Sequence, residues 1–126
     1  MKPEVITNMI EGAGVVSARV CGRSMWPVMA NGERVTLCPH NGKLALGRVY
    51  VYINCKGRLV AHRLTGVTEG VAFFKGDNNN TAEQVPVGNV VSACCSSVSV
   101  RRTVRRIRVF LKHVVQNVFG IYRSMT

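Results

Sequence analysis

The segment "RVYVYIN" (48–54) alternates without a break. Val49, Val51 and Ile53 fall on one face, and Tyr50 and Tyr52 on the other. A period of two is the signature of a strand. A strand cannot stand alone, because its backbone donors and acceptors need partners. The sequence supplies candidates. "VVSARV" (15–20), "ERVTLCP" (33–39), "RLVAHRLTGV" (58–67), "VAFFKG" (71–76) and "NVVSACCSSVSV" (89–100) all read as strands. Gly- and Asn-rich turns separate them, with "CKG" (55–57) as a hairpin turn. Such short spacing predicts a mainly β, antiparallel domain. Residues 1–12 read as a short helix ended by Gly12 and Gly14, and "DNNNTAEQVPVG" (77–88) as a polar loop.

The 126 residues fit one domain with an appendage. Charge marks the boundary. The net charge is +11, and the residues from Arg101 onward carry +7 of it without a single acid. In that tail Val104, Ile107, Leu111, Val114, Val115 and Val118 recur at helical spacing, with arginines crowding the first half. The expected division is therefore a β domain over 1–100 and a basic amphipathic helix over 101–126. Such a helix suits contact with an anionic surface. Peripheral membrane contact is the leading functional reading, and nucleic acid ranks behind it. Packing back on the β domain, with a solvated basic face, ranks ahead of both.

Five cysteines, an odd count with no CxxC, do not describe a disulfide framework. A reducing compartment is the simpler expectation. No uncharged apolar run reaches 18 residues, and the first twenty lack a secretory pattern. The expected location is the cytoplasm, at the inner membrane face where the tail engages lipid. Cys38, His40, Cys94 and Cys95 fit no usual zinc spacing, so neither metal nor cofactor is expected.

Nucleophilic chemistry is a further possibility. A serine attacks only if a base within hydrogen-bond reach removes its proton, and neutral imidazole does this near physiological pH. Ser24 lies in the bulky, punctuated stretch "CGRSMWPVMANGERV" (21–35). His62 lies mid-strand in "LVAHRL", whereas His40 sits in a turn and His113 in the basic tail. Asp77 and Glu83 are the acids near enough to orient a base. Each residue alone reads as structural: a turn serine, a satisfied strand histidine, solvated loop acids.

Together, in order, they resemble a family. "GRSMWPVMANGERV" resembles the nucleophile box of the type I signal peptidases, and "GRVYVY" (47–52) their next strand. "VAHRL" (60–64) is similar to the box carrying the general base, and "KGDNNNTAE" (75–83) to their Gly-Asp-Asn box. The His62-Arg63 pair matches the endoplasmic-reticulum, archaeal and sporulation branch rather than the Ser-Lys enzymes and LexA-like repressors. The resemblance implies a signal peptidase/LexA-like β fold, with Ser24 as nucleophile and His62 as general base. It implies Asp77 or Glu83 as the orienting acid, with Asp77 ranked ahead because its whole local motif matches. The Ser24 amide, helped by the Gly22 region, would hold the oxyanion. Gly22, Met25 and Ala61 fall at the substrate-binding positions. An extended substrate with small residues at the cleaved positions would add as a strand between Ser17–Cys21 and Arg58–Ala61.

The chain departs from the family at Arg48, where members usually carry an acid after the glycine, and no run in the residues given before the serine box is expected to span a membrane. The expected substrate is therefore a peptide or protein precursor whose leader is trimmed. Two readings from other classes stay open. One is a non-catalytic module that grips peptides by strand addition. The other is a LexA-like regulatory relative whose tail meets nucleic acid.

Overall fold

The structure is a computed structural model that describes residues 2–95 together with 107 and 108. The protein is mainly β. The helix α1 (Pro3–Ala13) opens the chain. Pro3 suits the first helical turn, where its missing N–H costs nothing. Gly14 ends the helix at φ +79°, a conformation that favours glycine, and donates its N–H to the Ile10 carbonyl at 2.8 Å. Ile10 is the helix's buried anchor.

Seven strands follow: β1 (Val16–Arg19), β2 (Arg34–Cys38), β3 (Val49–Ile53), β4 (Leu59–Thr68), β5 (Val71–Lys75), β6 (Glu83–Pro86) and β7 (Val90–Cys94). They form one sheet in the order β1-β2-β7-β3-β4-β5-β6, and every pairing is antiparallel. The alternating segment at 49–53 is therefore central, between β7 and β4. Both of its faces are buried, so the alternation divides two apolar environments rather than core from solvent. Tyr50, Tyr52, Leu64, Phe74 and Val85 meet on one of those faces. Tyr52 stacks on Phe74 at a centroid distance of 4.4 Å. Burying a side chain such as Phe74 or Leu64 contributes about 2 kcal/mol.

Two expectations are corrected. The 77–88 loop contains a strand, β6, where Phe74↔Glu83 and Ala72↔Val85 pair across to β5. Val85 is its only large apolar residue facing the core, so a four-residue strand passed for polar loop. Cys38 and Cys95 form a disulfide, with Cα atoms 6.2 Å apart. The pairing of β2 with β7 brings them together over 57 residues of sequence, a closeness that spacing alone does not display. Cys21, Cys55 and Cys94 lie outside this bridge, and one bridge among the described residues is not a framework.

The basic amphipathic helix expected over 101–126 lies outside the described residues, except for Ile107 and Arg108, which are helical. The chain divides into two compact units at residues 96 and 97. Among the described residues no helix is long and apolar enough to cross a membrane.

Candidate active site

Four segments of the first unit converge. After β1 the chain turns at Gly22, which adopts φ +91° and donates its N–H to Asn31 Oδ1 at 2.9 Å. Two tight turns follow: Trp26 N–H to Arg23 O at 3.1 Å, and Met29 N–H to Met25 O at 2.9 Å. The Trp26–Pro27 peptide is cis. Met25 and Met29 are buried beneath this loop, which leaves Ser24 half-buried on top.

The segment after β5 clamps the serine loop from the side. Asn78 N–H donates to the Ser24 carbonyl at 2.8 Å, and Asn78 Nδ2 to the Arg23 carbonyl at 3.1 Å. Asp77 N–H meets Met25 Sδ at 3.4 Å. Met25, expected to line the substrate site, is only 2% exposed and serves as the floor of this clamp. Gly76 lies so close that a Cβ there would meet the Ser24 carbonyl oxygen at 2.6 Å.

His62 arrives on β4, opposite Tyr50 of β3. Its Nε2 stands 3.1 Å from Ser24 Oγ. Its Nδ1 stands 3.0 Å from the Tyr52 hydroxyl, which donates to Glu83 Oε2 at 2.6 Å. Register explains the convergence. Residues 60, 62 and 64 share a face of β4, and Leu64 pairs with Phe74, which pairs with Glu83. A one-residue slip in any of these ladders would turn His62 or Glu83 away from the core.

The two candidate acids thus have different tasks. Asp77, ranked first as the orienting acid, is not the partner of His62. Both of its oxygens are taken by the Arg63 guanidinium, from Nε at 2.8 Å and Nη2 at 2.7 Å. That bidentate fork suits planar carboxylate recognition. Arg63 also donates to the Gly47 carbonyl at 2.6 Å, tying the start of β3 to the clamp. The hydrogen bonds to Asp77 push the Arg63 pKa up. Glu83 is linked to His62 through the Tyr52 hydroxyl.

Burial lowers the His62 pKa, and the charges of Glu83 and then Asp77 partly oppose it. Burial, together with the hydrogen bond and charge of Glu83, pushes the Tyr52 pKa far up and keeps the hydroxyl protonated. A hydroxyl held against one nitrogen of a neutral imidazole is the arrangement of a nucleophile and its base. The Ser24 N–H has no acceptor among the described residues. The Gly22 amide, expected to help it hold an oxyanion, is already taken by Asn31.

Ala61 sits where a peptide backbone can reach. Leu64 donates its N–H to the Arg48 carbonyl and accepts from Gly47 N–H, and the Arg58 carbonyl accepts from Asn54 N–H, all on the β3 side, so alternation turns Leu59 and Ala61 toward the other edge of β4. Among the described residues, β5 covers that edge only from Arg63 onward. Val20 bonds to Gly32 and Glu33, so Ser17, Arg19 and Cys21 face outward from β1, the sheet's edge strand. Two open backbone edges therefore belong to the segments that precede Ser24 and His62. Tyr52, Asn78 and Gly76 are the residues that motif reading missed. The hairpin turn at 55–57 carried the signal for Tyr52: it sets the register that puts Tyr50, Tyr52, Val60 and His62 on one face.

No protein-family model matches the chain. No curated protein matches it either.

Proposed function

We propose that the chain is a serine endopeptidase of the signal peptidase-like, Ser-His type, which trims a leader or signal segment from a precursor peptide. The observation that carries this reading is the 3.1 Å approach of His62 Nε2 to Ser24 Oγ, between residues 38 positions apart in sequence. In the proposed reaction His62 Nε2 takes the Ser24 proton as Oγ attacks the scissile carbonyl. The Ser24 N–H stabilises the tetrahedral oxyanion. Collapse breaks the C–N bond, and His62 returns the proton to the leaving amine. A water, activated by the same imidazole, then releases the acyl group. The substrate lies extended against the open edges of β1 and β4, a form of strand addition. The β domain would carry the signal peptidase/LexA-like fold. The tail would act as a basic amphipathic helix that holds the enzyme at the inner membrane face.

The test is incubation of the full chain with a peptide library, with products read by mass spectrometry. Cuts are expected at small residues. Peptides retained but never cut would favour the second reading, a non-catalytic module that uses the same open edges.

The pH profile is a further expectation. The base works only when neutral, so kcat/KM falls as pH drops through the His62 pKa. Burial has lowered that pKa, so the acid limb should lie below about pH 6.5, the ordinary histidine value. A limb at or above that value in a kcat/KM profile would count against His62 as the base.

A further inference from the structure

We infer that Tyr52 is a positioning residue that selects the working tautomer of His62, relaying the influence of Glu83 through hydrogen bonds that can run in only one direction. The inference rests on the reading of Ser24 and His62 as nucleophile and base.

Counting protons fixes the direction. An ionised carboxylate only accepts and has no proton to give. The Tyr52 hydroxyl has one, and at 2.6 Å it is committed to Glu83 Oε2, within the range of charge-assisted O–H···O⁻ bonds. Only lone pairs remain on the Tyr52 oxygen toward His62. The 3.0 Å contact with Nδ1 therefore requires Nδ1–H to donate. A neutral imidazole carries one N–H, so Nε2 is bare. Its lone pair faces Ser24 Oγ at 3.1 Å, and the serine proton points to it.

The reverse assignment destroys the base. Were Tyr52 to donate to Nδ1, the ring proton would sit on Nε2 and point at Ser24. The carboxylate thus decides the state of a nitrogen that it never touches. The relay has little freedom to rearrange. Tyr52 is fully buried, and its ring is stacked on Phe74. The other charged groups near His62 do not compete for Nδ1. Asp77, from the loop after β5, and Arg63, from β4 itself, hold each other. During the reaction the imidazolium donates from both nitrogens, and the Tyr52 oxygen still accepts from Nδ1. Glu83 then offsets the new positive charge through the same link, with no proton leaving Tyr52.

The experiment uses the full chain with ¹⁵N-labelled histidine at a pH where His62 is neutral. The His62 signals are assigned by their loss in His62→Gln. The wild-type ring is expected as Nδ1–H with a bare Nε2. In Tyr52→Phe, which deletes one oxygen from a packed ring, Nδ1 loses its acceptor and the ring shifts toward Nε2–H. Glu83→Ala provides a second route, because the freed Tyr52 hydroxyl can donate to Nδ1 and drive the same shift. In peptide cleavage, Tyr52→Phe should lower kcat about 100-fold or more while KM changes little. A wild-type ring found as Nε2–H overturns the inference. So does a ring that stays Nδ1–H in both variants. If the wild-type chain cuts no peptide yet the tautomer shifts as described, the peptidase reading fails and the Tyr52 assignment stands.

Discussion

Ser24→Ala should abolish peptide cleavage while the protein stays folded. The substitution removes one half-buried oxygen, whose only side-chain partner among the described residues is His62 Nε2. The loop beneath it does not depend on that oxygen. Met25 and Met29 still fill the floor, and Asn78 still binds the Ser24 carbonyl rather than its hydroxyl. The stability cost is therefore that of one hydrogen bond, about 1 kcal/mol. The rate cost is far larger, because no nucleophile remains: a fall of about 10⁴-fold or more in kcat. His62→Ala should fall by a similar factor, since a serine hydroxyl without its base is a poor nucleophile. The double variant should be no worse than the worse single one, because the two groups act as a unit. Cleavage kinetics with thermal melts of all three proteins decide the matter. A Ser24→Ala protein that cuts as fast as its parent would remove the nucleophile assignment. Additive losses in the double variant would show that the two residues do not act together.

The fold was legible wherever the pattern was clean. The β3 alternation and the turn at 55–57 predict the central hairpin, and the structure pairs Ile53 with Leu59 across it. The strand over 71–76 is likewise found as β5, and the early helix as α1. β6 was not legible, because only Val85 carries the apolar signal and the rest of the strand is polar. The Cys38–Cys95 bridge was not legible because it depends on which strands become neighbours, a long-range fact. The site divides in the same way. Motif order alone singles out Ser24, His62 and the two acids, and the structure brings all four into one region. The assignment between the acids needed register. Glu83 pairs with Phe74 on the core face, whereas Asp77 lies beyond the end of β5, where Arg63 takes it. Tyr52 looked like core, and it is core; its hydroxyl is the one polar atom on that ring, and burial makes its partners matter.

Gly76→Ala should damage the site from outside it. Gly76 needs no left-handed conformation, so the backbone would accept an alanine. The obstacle is space. The new Cβ would meet the Ser24 carbonyl oxygen at 2.6 Å and Asn79 Nδ2 at 2.8 Å. Asn79 belongs to a side chain that can swing aside. The Ser24 oxygen is backbone and already accepts from Asn78 N–H, so relief requires the two loops to separate. Separation weakens the Asn78 bonds to Ser24 and Arg23 together and shifts Oγ relative to His62 Nε2. Overpacking of this kind costs about 1–3 kcal/mol of stability. A displacement of about 1 Å at a reacting atom costs on the order of 100-fold in rate. The expected result is a folded protein with a lowered melting temperature and a kcat reduced about 100-fold. Gly66→Ala is the control, because its Cβ would meet the Phe73 ring at 3.6 Å, an ordinary contact, and no atom of the serine loop lies within 4 Å of it. It should keep wild-type kcat. Equal activity in the two alanine variants would mean that the clamp after β5 does not position Ser24, whatever its hydrogen bonds contribute to the fold.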